Sequence, residues 1–359
     1  RSSGPRSIPS SAPQPHRPRP RKRRTPLRVL AAVVGVVLIA GIGVVGWYLV
    51  RANMALNAVP RVDFATVTPT PEPSDNVPAK PAVASPAPAA PAVAPVSTGT
   101  NFLLLGTDYA GGGNSRSDTF MVVHVSADRS KLYVISYPRD SYVPIPGYGK
   151  GKINWAYQWG GVPLAKQTLE QLSGVGIDHT LHVDFDGFIA LTDVVGGVTV
   201  NNPTAFSAGG YDFPAGPVEL SGAKALAFVR NRYNLPRWDL SRAANQRAVV
   251  KAIIVKTLRP EVIGNPVTFD RLLAGAAACV QVDKGLTDSV VRDLALSMRI
   301  KSNADIVLMQ APISGFDSLP NGDSIDVVDW TKMAALSQAI KTDTLAAYVA
   351  KYGTKGYDF

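Results

Sequence analysis

The sequence predicts an α/β domain built on a mixed central β-sheet with helices on both faces. Three observations predict it. Short continuous apolar runs, such as NFLLLG at Asn101–Gly106, suit strands buried on both sides. Longer segments of helical character alternate with strands from residue 162 onward. Near the start, TFMVVHVSA and KLYVISYP are separated only by DRS, a tight hairpin connection, so the sheet is mixed rather than all parallel.

The remaining elements follow in order. VPLAKQTLEQLS, residues 162–173, reads as a helix with Pro163 near its start and Gly174 just past its end. DHTLHVD is a strand, FDGFIALTDVVGG a helix ending on glycines, and VTV a short strand. LSGAKALAFVRNR opens with Ser221 as an N-cap. SRAANQRAVVKAIIVKTL is a strongly periodic helix. Residues 266–280 and 287–300 read as helical, ADIVLMQAPI as a late strand, and residues 330–350 as helical.

The domain occupies residues 100–359, and the first hundred residues are of another kind. Residues 1–26 hold eight Lys/Arg, no acid, and many Pro and Ser, a composition that buries no core and predicts a disordered basic tail. In residues 27–50, LRVLAAVVGVVLIAGIGVVGWYLV, 22 uncharged residues follow Arg28. At about 1.5 Å per residue they reach roughly 33 Å, the thickness of a bilayer's hydrocarbon. The run is too long for a signal-peptide core and no small-x-small site follows it, so a transmembrane helix is expected. RPRPRKRR before the span and Trp47–Tyr48 at its far end put the N-terminus in the cytoplasm and the domain outside. Residues 51–99 read as a linker, rich in Pro and Ala from residue 65.

The net charge of +10 resolves along the same boundary. Residues 1–100 carry 12 basic and 3 acidic residues, and residues 101–359 carry 25 and 24. The basicity is therefore a topology signal, and the near-neutral domain argues against nucleic acid as a partner. The one cysteine, Cys279, excludes an intrachain disulfide and reads as a buried small apolar residue.

Charged residues gather where strands end. Asp108 follows the first strand, the Gly-rich AGGGNS comes next, and Arg116 and Asp118 precede the second strand. Strand ends are where ligands sit in α/β sheets. Two aspartates flanking such a loop suit Mg²⁺, which takes one or two carboxylates and completes its shell with phosphate and water. A surface Arg116–Asp118 pair with Asp108 in a turn is the plain alternative. PRD, residues 138–140, sets Arg139 at the end of the third strand. Arg230 and Arg232 are two apart, and in an extended chain would share a face. Arg242 and Gln246 are four apart on a helix and share one. Lys152 and Asn154 add a cation and an amide. Guanidinium forks suit phosphate oxygens; pairing of each arginine with its own surface carboxylate is the alternative. GYGKGK is no phosphate-binding P-loop, HTLH is no zinc-protease motif, and no GxSxG elbow exists. Arginines and carboxylates without a nucleophile suit direct phosphoryl transfer.

The segments NFLLLGTD, RSDTFMVV, ISYPRDSYVPIPG, KINWAYQWGG, GIDHTLHVDFDGFIALTDVVGGVTVN, LSGAKALAFVRNR and DLSRAANQR, in that order from residue 101 to about 255, resemble the LytR-CpsA-Psr family of cell-wall glycopolymer ligases. The resemblance implies an α-β-α fold with a hydrophobic pocket for a lipid tail. It implies a Mg²⁺-dependent (or Mn²⁺-dependent) phosphotransferase at the cell membrane. Such an enzyme moves a glycopolymer from a polyprenyl-pyrophosphate carrier onto a muramic acid hydroxyl of peptidoglycan through a phosphodiester. Carried onto this sequence, Asp108 and Asp118 hold the metal, and Arg116, Arg139, Lys152, Arg230, Arg232, Arg242 and Gln246 surround the pyrophosphate. Arg116, Asp118 and Arg139 are the expected catalytic set, with Arg139 neutralising the leaving polyprenyl phosphate. Many relatives carry arginine before the glutamine of RxxRQ; here that position is Asn245, and Arg247 follows. A non-catalytic binder of lipid pyrophosphate or anionic glycan, and a lipid-pyrophosphate-glycan hydrolase, use the same residues. A transcriptional regulator lacks support, for no helix-turn-helix signal is present.

Overall fold

The computed structural model describes residues 60–64, 99–107, 117–257 and 280–359. The predicted tail, the predicted membrane span, most of the predicted linker and Cys279 lie outside them, as does the helix predicted over 266–280 apart from Val280. Among the described residues, no helix is long and apolar enough to cross a membrane.

Strand β1 (Arg61–Val62) comes first, followed by β2 (Thr100–Thr107), β3 (Ser117–Val125) and β4 (Leu132–Tyr137). The hairpin β5 (Tyr142–Ile145) and β6 (Gly149–Lys152) leads into helix α1 (Ile153–Ser173), strand β7 (His179–Asp184) and helix α2 (Phe185–Val194). Four short strands follow, β8 (Val198–Asn202), β9 (Phe206–Ala208), β10 (Tyr211–Phe213) and β11 (Gly216–Leu220). Helices α3 (Gly222–Arg230) and α4 (Trp238–Thr257) precede β12 (Val280–Asp283) and α5 (Asp288–Ser297). Strands β13 (Ile306–Gln310), β14 (Ile313–Ser318) and β15 (Ser324–Val328) and helices α6 (Trp330–Lys341) and α7 (Leu345–Tyr352) complete the described chain.

Seven strands form one mixed sheet in the order β1-β12-β7-β2-β3-β4-β13. The predicted hairpin is present: β3 pairs antiparallel with both β2 and β4. β7 joins β2 in parallel and β13 joins β4 in parallel. Alternation along the strands divides the core. Leu103, Leu105, Phe120, Val122, Tyr133 and Ile135 pack under α1, α6 and α7. Phe102, Met121, Val125, Leu132 and Val134 face the opposite way, toward α4 and α5. Burial on both faces is why these strands read as unbroken apolar runs.

Several boundaries differ from the sequence reading. Arg61–Val62, inside the predicted linker, pairs in parallel with β12. The helix predicted over 162–173 is the second limb of α1, whose backbone leaves helical angles at Gly160 and Gly161 (φ 62°). The first limb, Ile153 to Trp159, is aromatic-rich and lacks a polar face, so periodicity missed it. Ser221 occupies the N-cap of α3 but makes no side-chain cap bond. The first amide, that of Gly222, donates instead to Thr192 Oγ1 at 2.8 Å. The helix predicted over 330–350 breaks where Asp343 adopts φ 55°.

After α7 the chain returns along the sheet edge. Gln310 N donates to Thr354 O at 3.0 Å and Ile313 N to Gly356 O at 2.8 Å. Gly356 has φ 78°, and an added Cβ would stand 2.5 Å from Gln310 O. A left-handed backbone and a collision with backbone act together there. Gly356→Ala should therefore lower stability by roughly 1–2 kcal/mol or more, read as a lower urea midpoint at unchanged slope.

Candidate functional site

β4 ends at Tyr137, and the chain turns at once through Pro138, Arg139 and Asp140. Ser141 N donates to Pro138 O at 3.1 Å and closes the turn. The first amides of α1 have no partners inside their own helix. They donate to this turn instead, Asn154 N to Arg139 O at 3.2 Å and Ile153 N to Ser141 O at 3.0 Å. The backbone that carries Arg139 is thus pinned between a central strand and a helix start.

The Arg139 side chain meets two carboxylates. Nη1 makes a close hydrogen bond to Asp118 Oδ1, and Nε donates to Asp239 Oδ2 at 2.9 Å. Arg242, buried on α4, reaches the same pair: Nη2 to Asp239 Oδ2 at 2.9 Å and Nη1 to Asp118 Oδ2 at 3.5 Å. Each arginine bonds both aspartates, which closes an alternating quartet. Asp239 is placed by a sharp entry into α4, where Trp238 adopts φ 42°.

Burial sets the electrostatics. It lowers the pKa of Arg242, and Asp118 and Asp239 only partly restore it. At Arg139 burial acts the same way, but Asp118, Asp239 and Asp140 outweigh it and the net direction is upward. Burial pushes Asp239 up as well, yet Arg242 and Arg139 win and hold its carboxyl below the usual range.

A second shell of charge lies beside the quartet. Arg139 Nε is 3.4 Å from Asp140. Lys152 Nζ sits between Asp140 at 3.4 Å and Asp323 at 3.9 Å. Asp326, on β15, is 5% exposed and its Oδ2 makes no hydrogen bond. Its backbone N–H donates to Asp140 O at 2.9 Å.

An apolar cavity of about 510 Å³ opens on the α4 side of the sheet. Leu104, Met121 and Val123 form its floor, and Phe188, Val250 and Ile253 its roof. The polar exceptions in its wall include Asp118, Arg230 and Gln246. Its size is that of a ligand pocket, and its lining is that of a hydrocarbon site.

The structure brings most of the predicted residues together. Asp118, Arg139 and Arg242 share the quartet, and Lys152 joins through Asp140. Gln246 is beside them, its Nε2 donating to Val229 O at 3.3 Å. Arg230 and Arg232 do not share one face, because α3 continues through Arg230. Arg230 lies over Phe185 at 4.5 Å and lines the cavity, whereas Arg232 lies over Tyr233 at 5.5 Å. Arg232 is nonetheless close enough to act electrostatically on Asp239 and Arg242. Asp108 and Arg116 lie outside the described residues. Arg247 does not stand in for the arginine missing at Asn245: it is buried against Ser136 on β4, and burial takes its pKa down to about 10.

Two participants escaped sequence reasoning. Asp239 carried a signal, its spacing of three residues from Arg242 on one helix. Asp326 carried none, since only the β14–β15 hairpin brings it here.

Among the described residues, no set of three or more His, Cys, Asp or Glu side chains could hold a metal ion. Asp118 offers a hard cation carboxylate oxygens at the cavity wall, and such an ion needs further oxygens, as from a phosphate.

Burial, then the charges of Asp140 and Asp239, push the Asp326 pKa from 3.8 up to about 7, against Lys152 and Arg139. An acid whose folded pKa exceeds its unfolded value binds more protons when folded. Its ionisation therefore costs stability as pH rises from about 4 to about 7. Asp326→Asn should be matched with the parent at pH 4 and become progressively more stable than it toward pH 8, by a few kcal/mol at most, in urea melts. A difference independent of pH would show that Asp326 is ionised throughout.

Comparison with known proteins agrees with this architecture. The model of the LytR_cpsA_psr family matches residues 77–342. The chain is 33% identical over 243 residues to a polyisoprenyl-teichoic acid–peptidoglycan teichoic acid transferase TagU of Enterococcus faecalis, covering 67% of this chain and 78% of that one. It is 44% identical over 158 residues to the TagU of Oceanobacillus iheyensis, covering 42% of this chain and 49% of that one. The chain thus spans about half the length of the first curated relatives that it matches, 49% and 52%. The crystal structure of B. subtilis TagV aligns with TM-score 0.60 at 26% identity, covering 69% of this chain and 97% of that one. A structure of TagT bound to LIIa-WTA aligns with TM-score 0.54 at 25% identity, covering 69% and 91%. The family match over most of the chain, with these relatives, leads to one conclusion, that the chain belongs to the LytR_cpsA_psr family.

Proposed function

We propose that this chain is a phosphotransferase. It moves a glycopolymer from a polyprenyl-pyrophosphate carrier to a hydroxyl of peptidoglycan, through a phosphodiester. The observation that carries the reading is the junction of two environments. An apolar cavity of about 510 Å³ has Asp118 in its wall, and Asp118 is bonded to Arg139 and Arg242. A lipid pyrophosphate has that same division, hydrocarbon at one end and concentrated negative charge at the other. The relatives named as teichoic acid transferases support the choice of donor and acceptor.

In this reading the prenyl tail lies in the cavity and the pyrophosphate at its charged end. The acceptor hydroxyl forms a P–O bond to the sugar-bearing phosphorus and gives up its proton to solvent, the bridging P–O bond breaks, and polyprenyl phosphate leaves. Arg139 and Arg242 carry the charge that develops on the leaving phosphate, a positioning and neutralising role that needs no protein nucleophile. Arg230 at the cavity wall, with Arg232, Lys152 and Gln246, holds the oxygens that do not react. Asp118, with Asp108, is the donor set proposed for Mg²⁺ or Mn²⁺, and the bound ion would neutralise pyrophosphate charge. Residues 27–50 are proposed to anchor the domain to the cell membrane, with the domain outside, where both substrates meet.

The test combines the purified full chain with a short-chain polyprenyl-pyrophosphate oligosaccharide, a peptidoglycan fragment and Mg²⁺, followed by mass spectrometry. A phosphodiester conjugate that disappears on adding EDTA supports the reading. Free phospho-sugar alone would favour a hydrolase, and bound but unchanged lipid a binding protein.

Two variants sharpen it. Arg139→Lys keeps a cation but loses the fork that spans both aspartates. It should lower kcat/KM by about 10²-fold while circular dichroism stays unchanged; full activity would remove Arg139 from the mechanism. Ile253→Trp fills the cavity without touching the quartet. It should raise KM for long-chain donors much more than for donors with one or two prenyl units, and an equal change for both would detach the cavity from lipid binding.

A further inference from the structure

Large exposed aromatic side chains gather beside the quartet. Trp238 is 76% exposed, Phe316 54% and Phe359 42%. Phe316 and Phe359 are joined in a strip through Tyr357 to Arg237, the chain neighbour of Trp238. Arg237, next to Trp238, places its guanidinium over Tyr357 at 4.7 Å and over Phe359 at 5.4 Å. Phe359 contacts Tyr357 at 5.4 Å and meets Phe316 edge-on at 5.2 Å.

Both ends of the strip are fastened to the candidate site. Trp238 directly precedes Asp239, which accepts from Arg139 and Arg242. Phe316 stands opposite Asp326 in the β14–β15 ladder. Directly opposed residues of an antiparallel pair project to the same face, and Asp326 is tied to Asp140 through its backbone. The strip also approaches from the flank away from the cavity. Asp118, Arg230 and Gln246 line the cavity; Asp239, Asp140 and Asp326 do not.

The chemistry of the strip narrows its occupant. Among the rings Arg237 is engaged in cation–π contacts, and the neighbouring Asp323 lies at Lys152. The nearby Lys332 is already paired with Asp358. A lipid surface calls for a basic rim around apolar residues, and a strip whose neighbouring charges are already paired supplies none. A chain of uncharged sugar rings fits: its C–H faces lie on aromatic rings, and its hydroxyls bond to the polar groups at the edge of the strip.

We propose that the strip Trp238–Arg237–Tyr357–Phe359–Phe316 is a binding subsite for an uncharged glycan strand, the route by which the acceptor reaches Arg139. The assignment of that glycan as acceptor rests on the transfer reading above; its binding does not.

The experiment uses the full chain in detergent and a hexamer of β-1,4-linked N-acetylglucosamine as probe, followed by tryptophan fluorescence and saturation-transfer NMR. The wild type should bind with saturation transfer to ring C–H protons. Phe316→Ala and Phe359→Ala should each weaken it about five- to tenfold, with Phe316→Tyr restoring it and polyprenyl-pyrophosphate binding unaltered. In the transfer assay both alanine variants should raise KM for the acceptor and leave donor KM unchanged. No hexamer binding by the wild type, or equal binding by all variants, overturns the subsite. A change in donor KM instead, or loss of binding to anionic vesicles in Phe316→Ala, reassigns the strip to lipid and overturns it too. Hexamer binding that depends on Phe316 in a protein without transferase activity would retain the subsite and refute only the transfer reading.

Discussion

Arg139 and Arg242 have been taken out of water at the end of a buried sheet, and each is held there by the same two carboxylates. A buried charge left unpaired costs far more than any single packing contact supplies. The positions of the surrounding elements follow from meeting that requirement. The PRD turn is locked by the first amides of α1, and Trp238 accepts an unusual backbone angle so that Asp239 can arrive. Carboxylates outnumber the two arginines and Lys152 in this cluster. Asp326, whose Oδ2 makes no hydrogen bond, is the one whose pKa burial and the charges of Asp140 and Asp239 push furthest upward.

The same constraint bears on the proposed reaction. With Asp118 and Asp239 against both guanidiniums, the quartet is neutral, so an arriving pyrophosphate competes with aspartates already in place. A hard cation on Asp118 would release guanidinium N–H groups toward phosphate oxygens, which gives the proposed metal a role in opening the site as well as in neutralising charge. The apolar cavity supplies affinity that does not depend on this exchange, since hydrocarbon burial is indifferent to which ion pairs are made.

Much of this was legible in the sequence, for physical reasons. NFLLLG, TFMVVHV and KLYVISY announce central strands because both of their faces are buried. PRD stood out because it follows such a strand without a spacer. What stayed hidden depends on distant contacts. The first limb of α1 carries Trp155 and Trp159 in a cluster of their own and shows no amphipathic period. The small hairpins β5–β6 and β9–β10 are rich in Gly and Pro and pair only with each other. Asp326 looks like any strand acid until β15 crosses to Ser141. Ser221 misled in the other direction: it occupies the N-cap position that its sequence suggests but leaves the bond to the first amide to Thr192.

Strand order in the sheet carries a consequence for how the chain folds. The inner strands β7, β2, β3 and β4 all derive from residues 100–184, but both flanks, β12 and β13, come from residues 280–310. The two-residue strand β1 must wait for β12, more than two hundred residues later in the chain. Contacts of such sequence separation form slowly, and a chain emerging N-terminus first holds its sheet edges open meanwhile. Val280, Leu294 and Met298 of the cavity wall and the hairpin that brings Asp326 belong to this late set. The cavity is therefore closed only when the C-terminal segment arrives, and truncation or delayed synthesis of that segment leaves a sheet whose edges are exposed for pairing with other chains.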